Sequence, residues 1–166
     1  MNSQKGSLKT QNLIHPLYIK EMDMHNSEVA KYVALAVALF HIPLFALDIY
    51  RMIYDKNLFS QPGFGGITLV HAVYLIIFTA LYVSGVFLLK KNNESEEISK
   101  GLKIYWRLFL YSTLTYAMFT SPLCHLMHGN TTTYFVTVMG MSSAMRVDKK
   151  EFLLYLTTLG IITLFM

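Results

Sequence analysis

Residues 29–53 read VAKYVALAVALFHIPLFALDIYRMI. About 25 residues with one lysine at the start and two charges near the end are enough to cross ~30 Å of hydrocarbon as a tilted helix. Lys31 can snorkel at one end, and Asp48, Arg51 and Asp55 mark the other. Pro43 lacks an N–H, so it predicts a kink and frees a backbone carbonyl one turn earlier. This run sets the expectation of a membrane helix.

The same pattern repeats downstream. Residues 55–66, with Pro62, Gly63, Gly65 and Gly66, read as a loop. Residues 67–89 are a second apolar span, and 90–103 a charged connection. Residues 104–127 are a third span with Tyr105, Trp106, Tyr111 and Tyr116 along it, two of them expected at the inner interface. Pro122 should bend its outer end. Residues 132–145 are short for a full crossing, so a re-entrant segment is the alternative. Residues 146–151 are a charged turn, and 152–166 are apolar to the last residue. The fold class expected is an all-α polytopic membrane helix bundle, with five helices visible and a sixth expected beyond Met166. Residues 1–28 read as a cytoplasmic tail. Its apolar patch Leu13, Ile14, Leu17 and Ile19, interrupted by Pro16, leaves a surface-lying helix as the alternative to a floppy segment. Residues 29–166 read as a transmembrane bundle, truncated before its last helix and a cytoplasmic output domain.

Composition agrees with this division. The chain has 166 residues, 54% of them hydrophobic and 14% charged, with a mean hydropathy of +0.40. A soluble domain usually carries about a quarter charged residues. The single Cys124 excludes an internal disulfide framework and a cysteine-based zinc site. The net charge of +4 does not point to nucleic acid, because the basic residues sit in short segments between apolar runs. Lys5, Lys9, Lys20, Lys31, Lys90, Lys91, Lys100, Lys103, Arg107, Arg146, Lys149 and Lys150 fall on one side of the alternating spans. Only Arg51 and Lys56, of 14 basic residues, fall on the other. The positive-inside rule then places the N-terminus in the cytoplasm.

Polar residues inside apolar spans carry the functional expectation. Counted at ~1.5 Å per residue, His41 lies near mid-membrane and Asp48 near the outer interface. His71 lies one to two turns below the outer surface, and His125 and His128 lie at the outer rim. His41 and Asp48, seven apart, share a helix face. A charged residue at a span's centre costs at least ~2.5–3.5 kcal/mol, so such groups should face the bundle interior and pair. Two outcomes are open. One is a polar cavity for a ligand, ion or proton. The other is purely structural: Asp48 paired with Arg51, His41 bonded to a carbonyl freed by Pro43, and His125 and His128 solvated. For haem, His41 would have to face His71 or His125, and depth differences of roughly 8–15 Å argue against that. A metal ion has donor candidates in His41, His71, His125 and His128, with Asp48 beside them, but no HExxH-type spacing supports it. The methionines and the stripe Tyr74, Phe78 and Tyr82 read as packing.

The polar knot SPLCHLMHGNTTTY at 121–134 carries a resemblance. A third span ending in His128 and Gly129, followed by Asn130, Thr131, Thr132 and Tyr134, resembles the N-terminal membrane region of bacterial GGDEF-type diguanylate cyclases. Its usual form there is about HG-x-[IV]-T-x-Y. Asp48 and His71 occupy similar places, whereas Leu123 and Cys124 stand where that family often has an acidic–polar pair. The resemblance implies a sensor in the bacterial cytoplasmic membrane, with Asp48, His71, His125, His128, Asn130, Thr132 and Tyr134 lining its ligand site. It implies a homodimer, a small-molecule or ion signal, and an output domain using GTP and Mg to make cyclic di-GMP. No GGDEF signature occurs in residues 1–166. Alternatives are the sensor of a histidine kinase, a haem- or metal-binding redox protein, and a small transporter or channel subunit, for which no internal repeat speaks.

Overall fold

The computed structural model describes residues 2–55, 57, 61–93 and 100–128, and singly 140, 145, 150, 153 and 157; in α1 the side chains are described from Tyr18 onward. Three helices result: α1 (Asn2–Tyr54), α2 (Phe64–Asn93) and α3 (Lys100–His128). No strand occurs among the described residues. The fourth and fifth expected spans lie outside them, apart from those single positions.

Helix α1 is far longer than the apolar run that announces it. It starts at Asn2 and runs unbroken through Pro43. Its buried face is a seam of small and polar side chains at three- and four-residue spacing: Asp23, Asn26, Ser27, Ala30, Ala34, Ala38, His41 and Asp48. The three alanines let the other helices approach closely. Between α1 and α2, Gln61, Pro62 and Gly63 make the turn. Gly63 takes a positive φ of 88°, a conformation that costs glycine little, and its carbonyl accepts from the Ile67 amide at 2.9 Å.

Cross-helix contacts fix the directions. Asp48 meets His71 and His41 meets Phe78, so α1 and α2 are antiparallel. Gly85 lies beside Tyr105, and Gly66 beside Leu123, so α3 also opposes α2 and runs with α1. The sequence is therefore up, down, up. At Gly85 a side chain would fall on the Tyr105 hydroxyl and within 3.2 Å of the Lys31 Cβ. The absence of a Cβ is what lets three helices meet there.

The core is aromatic in its middle. Phe78, Phe109 and Trp106 are fully buried, with Tyr74 and Tyr116 nearly so. The Tyr74 and Tyr116 rings cross edge-on at 5.0 Å, and Phe78 meets Phe109 at 6.1 Å. Met145 is buried in the same cluster. Trp106 and Tyr105 belong to this packed interior. At 0% and 2% exposure they point into the bundle.

The outside is the apolar part. Leu39, Phe40, Ile42, Leu47 and Ile53 on α1, and Leu69, Ile76 and Phe87 on α2, are all exposed. Residues 18–54 and 64–91 are each long and apolar enough to cross a membrane, and only 22% and 28% of their most apolar windows is buried. Large apolar side chains outside, around a core that also holds polar groups, depart from the arrangement usual in water.

Candidate functional site

The three-helix register stacks two polar layers on either side of the aromatic core. The first lies at the start of α3. Trp106 Nε1 donates to Asp23 Oδ1 at 2.8 Å, and Ser27 Oγ donates to the Leu102 carbonyl at 3.3 Å. The Arg107 guanidinium lies 5.3 Å from the Trp106 ring. This layer ties the polar part of α1 to α3, and the sequence reading, which set its boundary at Val29, did not foresee it. A signal was present: the seam through Ala38, Ala34 and Ala30 continues backward at the same spacing onto Ser27 and Asp23.

The second layer holds residues that the sequence did single out. His71 Nδ1 lies 2.7 Å from Asp48 Oδ2, and both side chains are buried. The ionised carboxylate accepts, so His71 Nδ1 carries the proton in this contact. His41 Nδ1 lies 2.7 Å from the Val37 carbonyl. A carbonyl only accepts, so Nδ1 donates here too; His41 Nε2 is buried and has no partner among the described residues. Both imidazoles are thus held by their Nδ1 atoms.

Two expectations are corrected here. Asp48 pairs across helices with His71 and not along its own helix with Arg51, which is exposed. His41 does not use the carbonyl freed by Pro43, which belongs to Leu39; it reaches Val37, one turn below itself. The expected depth gap between His41 and His71 is also closed. Their ring centroids are 5.7 Å apart at 81°. Depth counted on Cα positions ignores side chains that lean along the helix axis.

Aromatic rings enclose His41. Tyr116 lies 5.0 Å away and Phe78 5.9 Å away, centroid to centroid. Tyr74 donates its hydroxyl to Thr115 Oγ1 at 2.9 Å. Ser121 is fully buried, and its Oγ has no partner among the described residues. No three His, Cys, Asp or Glu side chains among the described residues are close enough to enclose a metal ion.

Asp48, His71 and His41 are therefore brought together, and Tyr116 is an addition from α3. The side chains of His125 and His128, and residues Asn130, Thr131, Thr132 and Tyr134 of the HG turn, lie outside the described residues. Two surface grooves flank α2. One of about 230 Å³ is lined by Leu69, Val70, Val73, Tyr74 and Phe119. The other, of about 500 Å³, is lined by Leu75, Ile76, Thr79, Ala80, Val83 and Ser84. Both are almost wholly apolar and suit acyl chains or another helix better than a polar ligand. Comparison of the chain with protein-family models, curated proteins and solved structures finds no match.

Proposed function

We propose that this chain is the input module of a multi-pass sensor in the cytoplasmic membrane, with its N-terminus in the cytoplasm. The observation that carries the reading is the buried Asp48–His71 pair, which joins α1 to α2 next to His41, whose Nε2 has no partner among the described residues. Ionisable groups in such an apolar setting are costly and mark functional sites by default. A change in charge or occupancy at this cluster alters what holds α1 against α2. That biases the packing of two long helices, and α1 reaches the opposite end of the bundle through Ala38, Ala34 and Ala30 to Asp23 and Trp106.

The membrane placement is supported by the exposed apolar flanks of α1 and α2 and by the bias of basic residues. The five-helix count, the homodimer and the diguanylate cyclase output rest on the sequence pattern and on the HG turn. The test is cellular cyclic di-GMP in a strain expressing the full gene product. Asp48→Asn and His71→Gln should each shift its level at least threefold while membrane abundance stays within a factor of two. Unchanged levels in both variants would remove the sensor reading. A change in another output, such as phosphotransfer, would keep the input module and replace the cyclase.

A further inference from the structure

Asp48 and His71 form a titratable pair at the interface of two apolar helices. Their side chains are buried and meet at 2.7 Å. A carboxylate beside a neutral imidazole carries one net negative charge. One more proton, on either partner, makes the pair neutral overall, so the two groups share that titration. A carboxylate with a histidine is the side-chain combination suited to switching near neutral pH.

The surroundings set the sign. Leu47 beside Asp48 and Leu69 near His71 are exposed on the apolar flanks of the two helices. A net charge in such a setting is costly, and a neutral, hydrogen-bonded pair is much less so. Closing α1 onto α2 therefore favours proton uptake, and by linkage acid favours the closed packing. As pH rises, the pair regains its uncompensated charge, draws in water and loosens the contact.

The rest of the cluster limits uptake to one proton. The His41 ring stands 5.7 Å from that of His71, and a second proton there would set like charges side by side. Tyr116 of α3 lies 5.0 Å from His41, and Tyr74 of α2 packs on Tyr116. Cys124 follows about two turns farther along α3. Phenols and thiols ordinarily ionise above neutrality. Arg51 and Asp55 of α1 are exposed.

We propose that the Asp48–His71 pair is a proton-binding site, and that uptake of one proton clamps α1 to α2. This rests on the sensor reading and names its signal as the proton. Asp48 lies six residues before the end of α1 and His71 seven after the start of α2. Both are thus roughly 9–11 Å from the helix ends that the Gln61–Gly63 turn joins. The proton comes from that side, the outer one when the N-terminus is cytoplasmic.

The experiment is a pH titration of the purified chain in nanodiscs, with spin labels on Leu47→Cys and Leu69→Cys in a Cys124→Ser background. From pH 9 to pH 5 the short α1–α2 distance should gain population about tenfold, with a single midpoint. Asp48→Asn, which keeps an acceptor for His71 without the charge, should hold the short distance at every pH. His25→Ala, at the other end of the bundle, should leave the response unchanged. Nitrogen NMR of the histidine rings in the unlabelled native chain should show His71 changing at the same midpoint. Distances that ignore pH in the native chain would overturn the site. A response that survives in Asp48→Asn, or that needs His125 or His128 instead, would do so too. A pH-dependent distance with an output indifferent to pH and to Asp48 would retire the sensor and leave the proton site standing. An output sensitive to Asp48 with pH-independent distances would do the reverse.

Discussion

His71 Nδ1 approaches Asp48 Oδ2 to 2.7 Å across the interface of α1 and α2, with both side chains buried. The residues are 23 apart in sequence, and the Pro62–Gly63 turn reverses the chain between them. The pair is therefore both a clasp between two helices and the polar centre of an apolar region.

Breaking the clasp from one side should be worse than removing it. Asp48→Ala leaves the His71 N–H without an acceptor, and His71→Ala leaves a buried carboxylate without a donor. Each should cost about 1–3 kcal/mol. The double variant should lose less than the sum, with a coupling energy of about 0.5–3 kcal/mol in a double-mutant cycle. Reversible unfolding in mixed micelles gives all four stabilities. Strict additivity would mean that the two side chains do not interact.

The Trp106–Asp23 bond gives a parallel test at the other end. Trp106→Phe keeps most of the ring but removes the N–H that satisfies Asp23, which is 1% exposed. A hydrogen bond to a charged group contributes roughly 1.5–3 kcal/mol, and that loss is expected here. Because Trp106 is the chain's only tryptophan, the native protein reports the same contact by fluorescence. Asp23→Leu should shift its emission without shifting α-helix content. Emission unchanged in Asp23→Leu would place the indole elsewhere.

How far the sequence could go is visible in these two pairs. Asp48 and His71 stood out because each interrupts an apolar run, and opposite ends of consecutive spans meet when a short turn joins them. Asp23 did not stand out, because an acidic residue in a mixed polar segment looks like any solvated charge. Only the Ser27–Ala30–Ala34–Ala38 seam revealed it, and that seam is made of small residues that hydropathy scores treat as neutral. Before Val29, helix α1 offered only the short apolar patch Leu13, Ile14, Leu17 and Ile19, because a mostly polar helix has little periodic apolar signal. His41 was placed correctly on its helix and wrongly in space, since an imidazole spans much of a helical turn by leaning along the axis.

Gly85 makes a sharper prediction, because a compensating change exists. Gly85→Ala places a methyl group against the Tyr105 hydroxyl, whose oxygen is buried without a partner among the described residues. Overpacking of this kind costs about 1–3 kcal/mol. Tyr105→Phe alone removes an unsatisfied buried hydroxyl and should be neutral or stabilising. Combined, the two changes should recover most of the loss from Gly85→Ala. Failure of Tyr105→Phe to rescue would mean that the Lys31 Cβ, 3.2 Å away, or the helix backbone sets the limit.

The orientation can be checked with the chain's one cysteine removed. In a Cys124→Ser background, Gln61→Cys lies in the α1–α2 turn and Lys91→Cys near the far end of α2. Both positions are exposed, so labelling reads the side of the membrane and not burial. With the N-terminus cytoplasmic, a membrane-impermeant maleimide added to spheroplasts should label Gln61→Cys at once. It should label Lys91→Cys only after the membrane is permeabilised. The opposite order would invert the bundle and move Asp48 and His71 to the cytoplasmic half. Equal labelling of both positions in sealed spheroplasts would mean that α2 does not cross, leaving the exposed faces of Ile76 and Phe87 to be covered by protein instead of lipid.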